Sequence, residues 1–212
     1  IFENISNEHF VLNFQISQHF YENTEGYFDP TVMPLVNYWG FGYKPKQAVT
    51  EIDVNKISEI LPYVGFDQWR IEESEDGQYL IHKPINAELD FSAVAKGYGV
   101  DAIAKYLESV GSENYLVEIG GEVYARGVNQ KQATWTIGLN TPKEEAGINA
   151  FEALVQIDQK GLATSGNYRN FYEVDGRKYG HEINPKTGMP EINELLGVSV
   201  IANTCAEADA YA

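Results

Sequence analysis

The sequence predicts an α+β fold, and three observations carry the prediction. Helical spacing of apolar residues marks the first half of the chain, while strand-like runs dominate the second. No internal repeat, low-complexity tract or obvious linker separates the two. The 212 residues are 43% hydrophobic and 13% aromatic, enough apolar material for a sizeable core. A single domain over residues 1–212 is the expected organisation.

From Ser6 a helical pattern runs to about Asn23, with Glu8 in its first turn, Phe10, Val11, Phe14 and Tyr21 as apolar positions, and Gly26 just beyond. Tyr27 to Pro45 reads as a loop punctuated by Pro and Gly and rich in aromatics: Tyr27, Phe28, Tyr38, Trp39, Phe41 and Tyr43. Long loops of this kind in compact domains often carry function. Asp53 is placed to cap a second helix reaching Gly65, with Ile57, Ile60, Leu61 and Val64 as its buried stripe. Trp69–Glu73 and Tyr79–Lys83 read as two strands joined by a turn at Asp76-Gly77, and Glu88–Phe91 as a further strand.

Gly97–Val110 returns to helix spacing through Val100, Ile103, Ala104, Leu107 and Val110, and Gly111 closes it. Strands follow at Tyr115–Ile119, Val123–Arg126, Thr134–Leu139, Phe151–Ile157, Phe171–Val174 and Val198–Ala202, with a hairpin turn at Asp175-Gly176. A last helix begins at Thr204 or Ala206 and is still in pattern at Ala212, while the chain opens on Ile1. The sequence is therefore expected to be a piece of a longer protein, truncated at both ends.

Fifteen Lys and Arg face 31 Asp and Glu, a formal charge of −16, so an open surface would repel a nucleic-acid backbone. An anionic ligand fits such a chain only where a metal ion or the N–H groups of a helix start offset the repulsion. Cys205 is the single cysteine, which excludes a disulfide framework and a Cys-based metal cluster within one chain. No stretch approaches the ~20 apolar residues of a membrane span.

Five segments hold residues suited to chemistry, and each also has a plainer reading. Leu89 to Asp101 (LDFSAVAKGYGVD) sets Asp90 at the end of a strand and Lys96 at the start of a helix, an arrangement suited to a phosphate bound with a metal; it equally suits an Asp-capped turn with a solvated Lys. Gly120 and Gly121 permit close backbone approach to a ligand, or a bulge. Ala163 to Arg169 (ATSGNYR) offers the hydroxyls of Thr164 and Ser165 and the cation of Arg169, or an ordinary turn. His181 enters a Pro- and Gly-bounded turn and has the side chain best suited to proton transfer near neutral pH, or is a satisfied strand residue. Glu207 and Asp209 offer carboxylate oxygens that hard cations prefer, or are solvated acids in a first helical turn. His9, His19 and His82 lack chemical company and read as structural.

In this order and spacing, YFDPTVMPLVNYWGFG (Tyr27 to Gly42), LDFSAVAKGYGVD, VEIGGEVYARG (Val117 to Gly127), ATSGNYR, GHEINPKTGMP (Gly180 to Pro190) and AEADAYA resemble blocks of the ApbE family, the FAD:protein FMN transferases. The resemblance covers nearly the whole chain. It implies tandem T-fold-like halves with mostly antiparallel sheet and packed helices. It implies an enzyme that takes FAD and Mg²⁺, breaks the pyrophosphate and attaches FMN to a Thr or Ser hydroxyl of an acceptor flavoprotein, releasing AMP. Carried over by residue, Trp39, Gly40 and Phe41 would line the flavin site, Asp90 and Lys96 would contact FAD, and Thr164 and Ser165 would lie by its phosphates. Ala93, through its carbonyl, and Asp209 would hold the metal. His181 would act as base toward the acceptor hydroxyl, with Ile183 lining the pocket. Asn184 stands where many relatives have Asp, a swap of little consequence if the turn rather than a charge is its business.

The implied acceptors are flavoprotein subunits of membrane redox complexes or extracytoplasmic reductases. The implied location is the periplasmic side of the inner membrane, through a lipid anchor outside this sequence. An FAD pyrophosphatase yielding FMN and AMP, and a non-catalytic FAD carrier, use the same binding residues and remain open at this level.

Overall fold

The computed structural model describes residues 2–5, 7–45, 51–142, 150–166, 171–174, 177–191 and 195–212. Helices and antiparallel sheets are mixed, the α+β class expected from the sequence. In chain order the first elements are strand β1 (Phe2–Ile5), helices α1 (Glu8–Asn23), α2 (Met33–Tyr38) and α3 (Val54–Ile60), strands β2 (Arg70–Glu73) and β3 (Tyr79–His82) and helix α4 (Ala95–Ser109). Strands β4 (Tyr115–Ile119), β5 (Glu122–Arg126), β6 (Trp135–Asn140), β7 (Phe151–Ile157) and β8 (Lys160–Ser165) follow. Strands β9 (Phe171–Val174), β10 (Arg177–Gly180) and β11 (Val198–Ala202) and helix α5 (Cys205–Tyr211) complete the described set. The backbone forms two compact units, Ile1–Phe91 with Asn170–Asn193, and Ser92–Arg169 with Glu194–Ala212.

In the first unit, α1 starts at Asn7, whose side chain accepts a hydrogen bond from the Phe10 N–H at 3.1 Å, and it stops where Glu25 and Gly26 turn to positive φ. Ser6, the expected start, lies outside the described residues. The helix buries Val11, Phe14 and Phe20, and Phe14 joins Phe66, Trp69, Ile81 and Ala87 in one apolar cluster. Three strands pair antiparallel in the order β1-β3-β2.

The loop expected from Tyr27 to Pro45 contains α2, which tolerates Pro34 because a proline in the first helical turn loses no hydrogen bond. Leu35, Trp39 and Ile57 are buried together, with Phe41, Ile183 and Met189 packed against them. Asp53 caps α3 through the N–H groups of Asn55 and Lys56; α3 ends at Ile60, earlier than its apolar stripe, and Leu61–Tyr63 tightens into a 3₁₀ turn carrying Pro62. Glu88–Phe91 is not a strand: the Asp90 N–H donates to Pro30 O at 2.7 Å instead of joining a ladder.

In the second unit β11, β8, β5 and β4 form an antiparallel sheet in that order, and β6 pairs with β7. Gly120 and Gly121, at φ +66° and +107°, are the two-residue turn between β4 and β5, with Ile119 paired to Glu122. Two successive positive φ angles match the twist of the flanking strands, so the glycines serve a tight hairpin and not a bulge. Thr164 and Ser165 lie on β8, paired with Ser199 and Val198, so this part of ATSGNYR is strand and not turn. Arg169 and the Asp175-Gly176 turn lie outside the described residues; the strands on either side of that turn, β9 and β10, pair antiparallel.

The position of α5 follows from small residues. Gly97 on α4 and Gly161 on β8 both abut the backbone of Cys205, so closely that a Cβ on either would collide with it. Asp101 on α4 accepts hydrogen bonds from the N–H groups of Cys205 and Ala206, both at 2.8 Å, while Thr204 caps Glu207 at 3.1 Å. A carboxylate and a hydroxyl thus satisfy the orphan donors of a seven-residue helix. Burial, with Asp101, Asp209 and Glu122 nearby, pushes the Cys205 thiol up to about 12, so this cysteine is a packing residue and not a nucleophile.

Candidate functional site

Within the second unit, α4 begins without a side-chain cap of its own at Val94. The N–H of Gly97 in the first turn donates instead to Asp209 Oδ2 at 2.9 Å, reaching across from α5. A carboxylate at the start of a helix is favoured by the free N–H groups and by the dipole. Asp209 is therefore no solvated acid: it is 6% exposed, fixed by the packing of α5 between two glycines.

Lys96 sits beside it. Its Nζ is 3.2 Å from Asp209 Oδ1, 3.5 Å from Asp209 Oδ2 and 3.3 Å from Glu122 Oε1, and it donates to Ser92 O at 3.4 Å. Burial by itself would lower the affinity of this amine for its proton, but Asp209 and Glu122 together outweigh it and hold Lys96 above the usual lysine range. Burial raises Glu122, and the attraction of Lys96 only partly opposes the rise. Glu122 was not legible as a site residue. The one signal for it is a charged side chain at the first strand position after a glycine pair, in a strand whose other residues are mostly apolar.

The donors here fit a hard cation. One carboxylate with oxygen ligands from backbone and phosphate suffices for Mg²⁺, which keeps several waters. Asp209 supplies the carboxylate, and Ala93 is exposed in the turn that precedes α4. Lys96 retains 42% exposure, so its ammonium can serve a phosphate while paired. Thr164 and Ser165 stand elsewhere in this unit, on β8, where the Thr164 and Ser199 hydroxyls hydrogen-bond at 2.8 Å.

The first unit gathers the other expected residues. Trp39 closes α2 and is fully buried, its Nε1 donating to Gly188 O at 2.7 Å and its ring stacked on Tyr179 with centroids 6.0 Å apart. It braces the turn from below and is not an exposed wall. Gly40, at φ +75°, reverses the chain so that the Phe41 N–H returns to Val36 O at 3.0 Å. Phe41 is half-buried and lies edge-on to His181, with ring centroids 6.2 Å apart. His181 Nδ1 is buried and has no hydrogen-bond partner among the described residues, so the ring is not the satisfied strand histidine of the plainer reading.

Ile183 packs with Phe41 in the α2 cluster and bridges to Pro190. Asn184 folds the turn that follows: its Oδ1 accepts from the N–H groups of Lys186 and Thr187 at 2.9 and 3.3 Å, and its amide donates to Glu191 at 2.7 Å. An Asx turn of this kind needs an oxygen acceptor and no charge. Asp90 completes this unit's share, half-buried on the segment tied to Pro30. Lys96, Ala93, Asp209, Thr164 and Ser165 thus belong to one unit, and Trp39, Gly40, Phe41, Asp90, His181 and Ile183 to the other.

Comparison with known proteins adds identity to geometry. The model of the ApbE family matches residues 4–212. The chain is 38% identical over 188 residues to an FAD:protein FMN transferase of Klebsiella pneumoniae, covering 89% of this chain and 53% of that protein. It is 38% identical over 189 residues to the enzyme of the same name from Escherichia coli K12, again 89% of this chain and 53% of the relative. The chain therefore spans about half the length of these curated relatives. Among solved structures, the apo flavinyl transferase ApbE of Pseudomonas stutzeri superposes with a TM-score of 0.83 at 30% identity, over 99% of this chain and 62% of that one. The flavin transferase ApbE of Vibrio cholerae gives 0.82 at 33%, over 98% and 64%.

Proposed function

The chain belongs to the ApbE family, and from that premise we propose that it carries the catalytic part of an FAD:protein FMN transferase, moving FMN from FAD to a Thr or Ser hydroxyl of an acceptor flavoprotein. The observation that carries this reading is the Asp209 carboxylate held at the start of α4 beside Lys96, an arrangement that lets an acidic protein accept a pyrophosphate. The acceptor oxygen bonds to the FMN phosphorus as the bond from that phosphorus to the bridging oxygen breaks, and AMP leaves with that oxygen. The hydroxyl proton passes to His181, an imidazole and so the side-chain type best suited to proton transfer near neutral pH.

Asp209 and the Ala93 carbonyl would hold Mg²⁺, which when bound supplies neutralisation of charge on the phosphates. Lys96 adds a fixed positive charge, and Asp90, Thr164 and Ser165 bind the polar groups of FAD. Trp39, Gly40, Phe41 and Ile183 shape the apolar seat of the flavin, with Phe41 presented and Trp39 supporting it. Acceptor flavoproteins of membrane redox complexes or extracytoplasmic reductases, and a periplasmic, lipid-anchored location, are proposed on family resemblance alone. Among the described residues no helix is long and apolar enough to cross a membrane.

Replacing His181 tests the assignment. His181→Ala is expected to slow transfer about 10²- to 10⁴-fold, the range of a lost general base, while FAD affinity changes less than about threefold. Stopped transfer assays and flavin-fluorescence titrations measure the two quantities separately. Transfer at the wild-type rate, or loss of FAD binding in proportion to loss of transfer, would contradict the role of base.

A further inference from the structure

The functions given to Lys96 and Asp209 leave Glu122 without a task. Its side chain is 5% exposed and one oxygen lies 3.3 Å from Lys96 Nζ. The other, Oε2, is buried with no hydrogen-bond partner among the described residues. A buried carboxylate oxygen left without a partner is costly, and a residue of similar volume without charge would pack more cheaply. The glycine turn brings it there: a Cβ on Gly120 would already touch both Lys96 Cδ and Glu122 Oε2, at 3.4 and 3.5 Å.

Two facts about this cluster point the same way. The Lys96 ammonium is shared, lying 3.2 and 3.5 Å from the two Asp209 oxygens and 3.3 Å from Glu122 Oε1, so the carboxylate proposed to hold the metal is not its sole partner. The charges of the three side chains sum to −1, which invites a further cation, whereas the same cluster without the Glu122 charge would sum to zero.

We propose that Glu122 is a positioning residue that draws Lys96 partly off Asp209 and supplies the second negative charge, and so sets how tightly Asp209 holds a divalent cation. This rests on the reading of Asp209 as the metal-holding carboxylate. Neutralising Glu122 acts twice in one direction: the direct attraction is lost, and Lys96 then pairs fully with Asp209 and competes for it. Removing Lys96 acts in the opposite direction, because the competing ammonium is gone and the remaining charge is −2.

The test is a titration of the purified protein with Mn²⁺ alone, without flavin, following free Mn²⁺ by electron paramagnetic resonance and the fold by circular dichroism. Glu122→Gln is expected to weaken Mn²⁺ binding at least about tenfold, and Lys96→Met to strengthen it at least about threefold, with Mn²⁺ raising the melting temperature of the Lys96→Met protein. Because the two shifts have opposite signs, general loosening of the fold cannot mimic both. Affinity within twofold of wild type in Glu122→Gln, with binding abolished in Asp209→Asn, would overturn the role of Glu122 while leaving the metal reading intact. Binding unchanged in Asp209→Asn would overturn the metal reading and this proposal with it.

Discussion

Asp209→Asn is expected to remove measurable Mg²⁺ or Mn²⁺ binding and to lower the rate of flavin transfer at least about 10²-fold in a protein that still folds. The magnitude follows from the several kcal/mol a metal contributes to a phosphoryl transition state, at about 1.4 kcal/mol per tenfold in rate. Asparagine keeps nearly the same shape and an oxygen able to accept the Gly97 N–H, now bonded at 2.9 Å. What it lacks is the charge: its second atom is an N–H donor turned toward an ammonium that now stands 3.2 Å from Asp209 Oδ1. A neutral amide oxygen also holds a hard cation less tightly than a carboxylate does. Calorimetric titration with the metal, paired with the transfer rate, checks both parts. Transfer within threefold of wild type would mean that Asp209 does not serve the reacting phosphates.

The second large effect is steric. Gly97→Ala is expected to destabilise the protein by about 3 kcal/mol, at the upper end of overpacking, because the added Cβ meets the Cys205 carbonyl and the Ala206 Cα, backbone atoms that cannot rotate aside. For a chain of this size that is a fall of roughly 6–12 °C in melting temperature. Metal affinity should fall with it, since the same contact seats α5 and thereby Asp209. Gly99→Ala, two residues along the same helix, is the control. The new Cβ there would approach only the Ile119 Cδ1 at 3.2 Å, the tip of a flexible side chain, and the gain in helix propensity of about 1 kcal/mol offsets the adjustment. A large loss at Gly97 with little change at Gly99, read by thermal denaturation, would identify the α4–α5 contact as the cause; equal losses at both would contradict it.

Much of the fold was legible because local chemistry and tertiary structure agree. Asn7 and Asp53 cap helices whose apolar spacing already marked them, Thr204 caps the last helix at one of its two expected starts, and Asp76-Gly77 turns the β2–β3 hairpin. Disagreement arose where distant partners decide. Thr164 and Ser165 carry a turn-like composition, yet the five-residue pairing with β11 extends β8 through them. Glu88–Phe91 has the composition of a strand, but its backbone is engaged by Pro30.

The site divides similarly. The residue types at Lys96, Asp209 and His181 were readable as suited to phosphate, metal and proton transfer. The burial of Asp209 was not, because it results from α5 lying against glycines on two other elements. Glu122 was invisible for the same reason: only the fold brings a carboxylate from β5 to a lysine on α4. Trp39 shows the reverse, an aromatic whose place in the motif was plain but whose burial was not: its indole donates to Gly188 O and its ring stacks on Tyr179.

The most direct test of flavin transfer is to incubate the purified protein with FAD, Mg²⁺ and an acceptor flavoprotein domain, denature the mixture, and record flavin fluorescence on the acceptor band together with the free nucleotides. The expected result is covalent fluorescence on the acceptor, abolished by EDTA, with one AMP released per flavin attached. A dark acceptor with FAD intact would contradict it in favour of a carrier, and a dark acceptor with free FMN and AMP would contradict it in favour of hydrolysis.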